Sequence, residues 1–153
     1  MRSILATTLA LSLTLVTIGC LAPKDRCPGF RLPGDVVAYP TDWAATVAPH
    51  PLIAVEVRTP YLLPHSVTIT RGIFEGGLVI GAREPDSKNW PGWVDADPNV
   101  RLGVGDAVYE AKLVPIEDAE TSRRVLASMR AGTTSAGPPP EMKIRFWHVR
   151  PRD

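Results

Sequence analysis

Cysteine and histidine are scarce in this chain: two Cys and three His occur among 153 residues, and neither type clusters. His50, His65 and His148 lie far apart, no pair has the spacing of a zinc-binding helix, and Cys27 lacks the close paired cysteine of a zinc ribbon. A closed metal site is not expected. An excess of either charge is also lacking, since 17 Lys+Arg stand against 16 Asp+Glu, and without a basic field there is no electrostatic case for nucleic acid. There is no Gly-x-Ser-x-Gly elbow. Ser66 follows His65 directly, but in a stretch of strand character, where neighbouring side chains point to opposite faces, so the pair does not make an activated nucleophile. Gly76-Gly77 and Gly103-Val104-Gly105 are too isolated to cradle phosphate and are better explained as hairpin turns. No catalytic residue emerges.

What the chain has instead, at its start, is one apolar run. Arg2 is the only charge before Lys24, and the stretch Ile4 to Ile18 ends in Gly19-Cys20. This is the layout of a secretory signal, too short for a helix that crosses ~30 Å of hydrocarbon. Val16-Thr17-Ile18-Gly19-Cys20 resembles the lipobox of bacterial lipoproteins, which implies cleavage before Cys20 and lipidation of that residue. One acyl chain holds a membrane only marginally, at ~0.8 kcal/mol per buried methylene, whereas several on Cys20 would anchor the protein in the cell envelope, facing the periplasm or the exterior. The alternative is an ordinary secreted chain in which Cys20 and Cys27 close a small disulfide loop. The expected boundaries are a signal peptide over 1–19, a lipidated tether over 20–34 and a single domain over 35–153. Loss of Arg2 with the signal leaves the mature chain formally neutral.

Within the domain the apolar pattern is mostly of period two. Leu52 to Arg58 sets Ile53, Val55 and Val57 on one face against Glu56 and Arg58 on the other, and His65 to Thr70 makes a second strand. Ile73-Phe74 and Leu78-Val79-Ile80 flank Glu75-Gly76-Gly77 as a hairpin. Asp86-Ser87 offer capping oxygens for a helix of two turns at most around Trp90–Ala96, with Pro98 against its continuation. Val100–Val104 and Val108–Val114 form the clearest hairpin, turning at Gly105-Asp106. A helix is expected from Asp118 to Ala131, capped by Asp118, with a Glu120–Arg124 pair, an apolar stripe of Val125, Leu126 and Met129, and Gly132 at its end. After a loop over Thr133–Pro140, Glu141 to Val149 closes the domain with Met142, Ile144 and Phe146 inward. Short strands without repeated strand-helix alternation predict a mainly β, α+β fold, a small antiparallel barrel of about six strands with one or two helices. A β-sandwich is the alternative.

Two segments carry more chemistry than packing requires. Arg58-Thr59-Pro60-Tyr61-Leu62-Leu63-Pro64-His65-Ser66 gathers a guanidinium, two hydroxyls, a phenol and an imidazole in a connection stiffened by prolines. Arg58 could grip a phosphate or carboxylate, with Thr59 or Ser66 donating further; equally, Arg58 could pair with an acid and Tyr61 could cap the barrel end. Lys88-Asn89-Trp90-Pro91-Gly92-Trp93 spends two of four tryptophans on a short helix start, where either could line a pocket for a flat ligand or anchor the helix to the sheet.

Trp90, then Asp97-Pro98-Asn99-Val100-Arg101-Leu102, Gly105-Asp106-Ala107-Val108-Tyr109-Glu110-Ala111 and the acidic helix behind them resemble the deazaflavin-dependent nitroreductase group of the flavin-binding split β-barrels, relatives of pyridoxamine-phosphate oxidase. Asp42-Trp43, the Arg-Thr-Pro-Tyr block at Arg58 and the Pro-His-Ser block at Pro64 bring the chain closer still to bacterial lipoproteins of that group. The resemblance implies a split barrel, a homodimer, and FMN or a deazaflavin held by Arg58, Thr59, Tyr61, His65, Ser66, Lys88 and Trp90. Its phosphate would lie against Arg58–Ser66 and its ring near Trp90, for redox chemistry. The alternative is a barrel that binds no cofactor and serves as a ligand-binding or scaffold module on the membrane.

Overall fold

The computed structural model describes Pro23 and residues 28–131 and 142–152. The signal segment, Cys20, Cys27, Gly132, the loop Thr133–Pro140 and Glu141 lie outside the described residues. The elements run β1 (Asp35–Val37), α1 (Trp43–Val47), β2 (Leu52–Arg58), β3 (Pro64–Phe74), β4 (Gly77–Arg83), a 3-10 turn (Pro85–Ser87), α2 (Asn89–Ala96), β5 (Asn99–Val104), β6 (Ala107–Pro115), α3 (Ala119–Ala131) and β7 (Ile144–Pro151). Six strands pair in the order β6-β5-β2-β3-β4-β7, and β7 returns to β6 to close a barrel. All these pairings are antiparallel. Closure through β7 excludes the sandwich, and β1 adds a seventh strand parallel to the start of β6.

Inside the barrel, Ile53, Val55 and Val57 of β2 meet Leu78 and Ile80 of β4, Val100 and Leu102 of β5, and Trp147 and Val149 of β7 in one apolar cluster. Most of these side chains are no more than 3% exposed. A second, smaller cluster lies outside the wall, where Val125 of α3, with Leu126 and Met129 beside it, covers Phe74, Val79 and Phe146. This outer layer corrects the expectation for β7. Trp147 and Val149 face the interior, while Ile144 and Phe146 face α3. A strand covered on both faces loses the polar half of its alternation, so the pattern alone does not say which side is inward. Gly72 permits the close approach of α3, since a Cβ there would lie 2.4 Å from Cγ of Met129.

The helices also differ in detail. Among the described residues there are three, not one or two: α1 is additional, its start fixed by Asp42 Oδ1, which accepts from Ala45 N at 3.0 Å, and Trp43 packs in the core between Tyr39 and Tyr109. Asp86-Ser87 do not cap α2. The N-cap is Lys88, and Ser87 Oγ donates to Glu84 O within the preceding turn. Asp118 does cap α3, accepting from Thr121 N at 2.6 Å. Arg124 leaves Glu120 and reaches Glu75 at 2.6 Å, because the β3–β4 turn comes beneath the helix and offers both a carboxylate and the Phe74 ring. In that turn the positive φ angles fall on Glu75 (51°) and Gly76 (76°), so Gly77 already opens β4.

Candidate functional site

The barrel opens where β3 and β4 part. From Arg71 to Phe74, β3 pairs with β4, but β4 then follows β7 through Arg83, while the earlier part of β3 stays with β2. Between the Ser66–Gly29 bridge and the Arg71–Ile80 pair, residues 67–70 of β3 have no strand on that side among the described residues. Ser66 exchanges both of its main-chain bonds with Gly29, so strand alternation turns Thr68 the same way, its main-chain groups toward the gap.

The gap is a cleft of about 740 Å³, large enough for a cofactor-sized ligand. Val67, Ile69, Ala82 and Trp90 supply apolar walls, and His65, Arg83, Lys88, Asn89 and Ser87 supply polar groups. Two cations and no carboxylate line it. Lys88 Nζ donates to the main-chain oxygen of Arg83, which holds the ammonium at the mouth. His65 lies edge-on to Trp93 with ring centroids 5.1 Å apart, and its partial burial lowers its pKa below the ordinary value, leaving the imidazole neutral at pH 7. Trp90 is 5% exposed and packs against Trp147 with centroids 5.2 Å apart. It anchors α2 to the barrel and also lines the cleft.

The expected binding set therefore divides. His65, Lys88 and Trp90 come together in the cleft. Arg58 does not; it is exposed on the outer face of the sheet, in a separate groove of about 400 Å³ with Arg31, Arg101, Arg152, Glu56 and Asp97. Thr59 is 2% exposed and spends its hydroxyl on Leu63 O at 2.7 Å, closing the connection on itself. Ser66 is fully buried behind Gly29 with no hydrogen bond to its Oγ, and Tyr61 projects 62% exposed with its ring 6.1 Å from that of Trp93. These four residues leave the cleft because strand alternation places Arg58 and Ser66 on the face opposite Val57 and Val67, and the turn folds away from it.

Arg83 was missed. It ends β4 beside the cleft, five residues before Lys88 in sequence, and the signal was the basic residue on the same short connection as Lys88. Part of the stretch expected as tether is also structural. Leu32 is 3% exposed and its N–H donates to Glu56 Oε2 at 2.6 Å, while Arg101 Nη1 holds the same carboxylate at 2.9 Å. Pro28 reaches the rim of the cleft. Among the described residues no group of His, Cys, Asp or Glu is placed to hold a metal ion, and no helix is long and apolar enough to cross a membrane.

No family model and no curated protein sequence matches the chain. Solved structures do. A protein of Bacteroides thetaiotaomicron VPI-5482 assigned to 5-nitroimidazole antibiotic resistance aligns at TM-score 0.56 and 15% identity, over 69% of this chain and 75% of its own. A NimC/NimA family protein of Clostridium acetobutylicum aligns at 0.53 and 9% identity, over 69% and 77%. A protein of Listeria innocua assigned as a pyridoxamine 5'-phosphate oxidase aligns at 0.50 and 13% identity, over 69% and 88%. The fold is the split β-barrel. These identities establish that fold and nothing finer. In this split barrel the opening between β3 and β4 brings apolar walls, a free strand edge and the cations Arg83 and Lys88 together.

Proposed function

We propose that the chain is an envelope-anchored split barrel whose cleft binds a flat, phosphate-bearing ring ligand of the flavin or deazaflavin class. The observation that carries this reading is the cleft lining: apolar Val67, Ile69, Ala82 and Trp90 together with the cations Arg83 and Lys88, and no carboxylate. The residues fit such a group. Arg83 and Lys88 would hold its phosphate by charge-assisted hydrogen bonds, and the main-chain groups of Thr68 would meet polar ring atoms. Neutral His65 would sit beside the ligand and can donate or accept a hydrogen bond there. When bound, a flavin or deazaflavin supplies hydride transfer, so the protein's own part is to bind, orient and exclude water. Cys20 would carry the lipid anchor, and the reading includes the homodimer that the resemblance implies.

A non-enzymatic scaffold is the second reading, favoured by one observation: Arg58, Thr59, Tyr61 and Ser66, all implied as cofactor contacts, lie outside the cleft. Purified chain decides between them. Absorbance in the flavin range, or a rise in melting temperature with FMN or a deazaflavin that Arg83→Ala and Lys88→Ala abolish, supports the redox reading. Colourless protein with no shift for either ligand supports the scaffold. Cys20→Ser should release the chain from the membrane fraction, and unchanged fractionation rejects the anchor. Light scattering of the same preparation reads the oligomeric state.

A further inference from the structure

The connection between β2 and β3 presents apolar surface that the fold does not use. Tyr61, Leu62 and Leu63 are 62%, 69% and 54% exposed, and Phe30, on the segment bridged to Ser66 of β3, is 48% exposed. The turn is fixed: Leu62 N donates to Thr59 O at 3.0 Å, Thr59 N donates to Leu63 O at 3.3 Å, and Leu62 sits at φ 65°. A left-handed position open to water favours glycine or asparagine, and a leucine there gains nothing from packing.

The charges beside this turn are mostly positive, with Arg31, Arg58, Arg101 and Arg152 against Glu56 and Asp97. Arg31 and Arg58 line the same groove as Leu62 and have no ion pair among the described residues. Of the acids of that groove, Glu56 is paired with Arg101 and also accepts from Leu32 N, while Asp97 accepts from Asn99 and keeps its charge, so the groove retains a positive excess. Apolar side chains at the tip with guanidiniums behind them suit a surface that is apolar inside and anionic at its rim. A second copy of the chain fits less well, because a two-fold contact here would face two patches with the same positive excess.

We infer that this edge docks on an anionic lipid surface, with Tyr61–Leu63 and Phe30 entering the interface and Arg31 and Arg58 meeting headgroup phosphates. The placement rests on the reading of Cys20 as the anchor. Cys20 precedes Pro28 by eight residues, a reach of at most about 29 Å, and Pro28 lies beside β3, so a lipid there keeps the edge within range of the headgroups.

The test is the full chain carrying Leu62→Trp, reconstituted in phosphatidylethanolamine–phosphatidylglycerol vesicles with brominated acyl chains. The added emission should be quenched roughly twofold or more against unbrominated vesicles, as expected for an interfacial side chain. Arg31→Glu with Arg58→Glu should remove that quenching, and so should replacement of the lipid by phosphatidylcholine. Added emission that is not quenched, or quenching equal in phosphatidylcholine, overturns the proposal. So does a blue shift that grows with protein concentration in lipid-free detergent, which would assign the turn to a second copy. Leu63→Trp gives the same readout should Leu62→Trp misfold. Palmitate labelling of Cys20 separates the two readings: a labelled chain with an unquenched turn rejects the docking alone, and an unlabelled chain with a quenched turn rejects the anchor alone.

Discussion

Glu56→Ala is the perturbation whose effect follows most directly from the geometry. The carboxylate lies on the outer face of β2 and is closed over by the segment Gly29–Leu32, so that its side chain is 10% exposed and that of Arg101 13%. It accepts from Leu32 N at 2.6 Å and from Arg101 Nη1 at 2.9 Å and 3.2 Å. Truncation leaves a largely buried guanidinium without its counter-charge, which costs about 3–5 kcal/mol, and an orphaned N–H at Leu32 adds up to about 1–3. Glu56→Gln keeps an acceptor and loses only the charge assistance, about 1–2 kcal/mol. With a urea m-value of about 2 kcal/mol per molar, the ion-pair loss alone should lower the midpoint of Glu56→Ala by roughly 1.5–2.5 M at unchanged m. Arg101→Ala should cost less than Glu56→Ala, because the carboxylate it leaves retains the hydrogen bond from Leu32 N. Hydrogen exchange should show the Leu32 amide losing protection in Glu56→Ala first. If Glu56→Ala shifts stability by less than about 1 kcal/mol and Leu32 stays protected, the network does not hold the segment against the barrel.

Gly72→Ala should destabilise by about 1–3 kcal/mol through overpacking, less the few tenths to 1 that alanine gains by restricting the unfolded chain, and Met129→Ala in the same molecule should recover part of the loss. Denaturant midpoints of the two single variants and the double variant check this; a stabilised Gly72→Ala would show that α3 stands farther from β3. His65 and His148 both have pKa values lowered by burial, with Arg150 adding to the effect at His148. Each is neutral in both states above its unfolded pKa of about 6.5; below that the unfolded chain takes up the proton first, so stability falls on acidification and levels off beneath the lowered folded value. His65→Gln should flatten part of that fall in thermal melts between pH 7 and 5, and an unchanged slope removes His65 as a contributor. Asp118 works in the opposite range: the hydrogen bond from Thr121 lowers its pKa, so its contribution is present above about 3.9 and lost as pH drops through the lowered value, and Asp118→Asn should weaken that acid limb.

The strands were legible because most carry one polar face. β2 with Glu56 and Arg58 against Ile53, Val55 and Val57, and the β5–β6 hairpin around Gly105, run as the alternation predicts. Alternation fails where both faces are covered, as at β7, and where a short helix is held by one capping aspartate, as at α1. Of the site, His65, at the start of β3, and Lys88 and Trp90, at the start of α2, were legible because they sit where a connection enters an element. Arg58 and Ser66 misled for the opposite reason: they lie on the strands flanking that connection, and sequence proximity to His65 concealed the pleat that sends them to the outer face.

The cleft itself follows from a change of partner, which no periodicity records. β4 gives Gly77–Ile80 to β3 and Val79–Arg83 to β7, so its two edges are in use over different lengths. Had β3 and β4 stayed paired to the end, Thr68 would have had a neighbour and Arg83 would have faced a strand. Gly81 sits at the divergence, where a Cβ would come 2.9 Å from the Phe146 ring, so a side chain at Gly81 must either displace that ring against the α3 layer or shift β4 relative to β7 and alter the gap. Where β4 gives way, Gly81→Val should alter the cleft before it unfolds the barrel, weakening a ligand-induced melting shift more than the melting temperature of the free chain. Equal loss of both would place the strain in the α3 layer instead, and would separate the packing of Phe146 from the geometry of the opening.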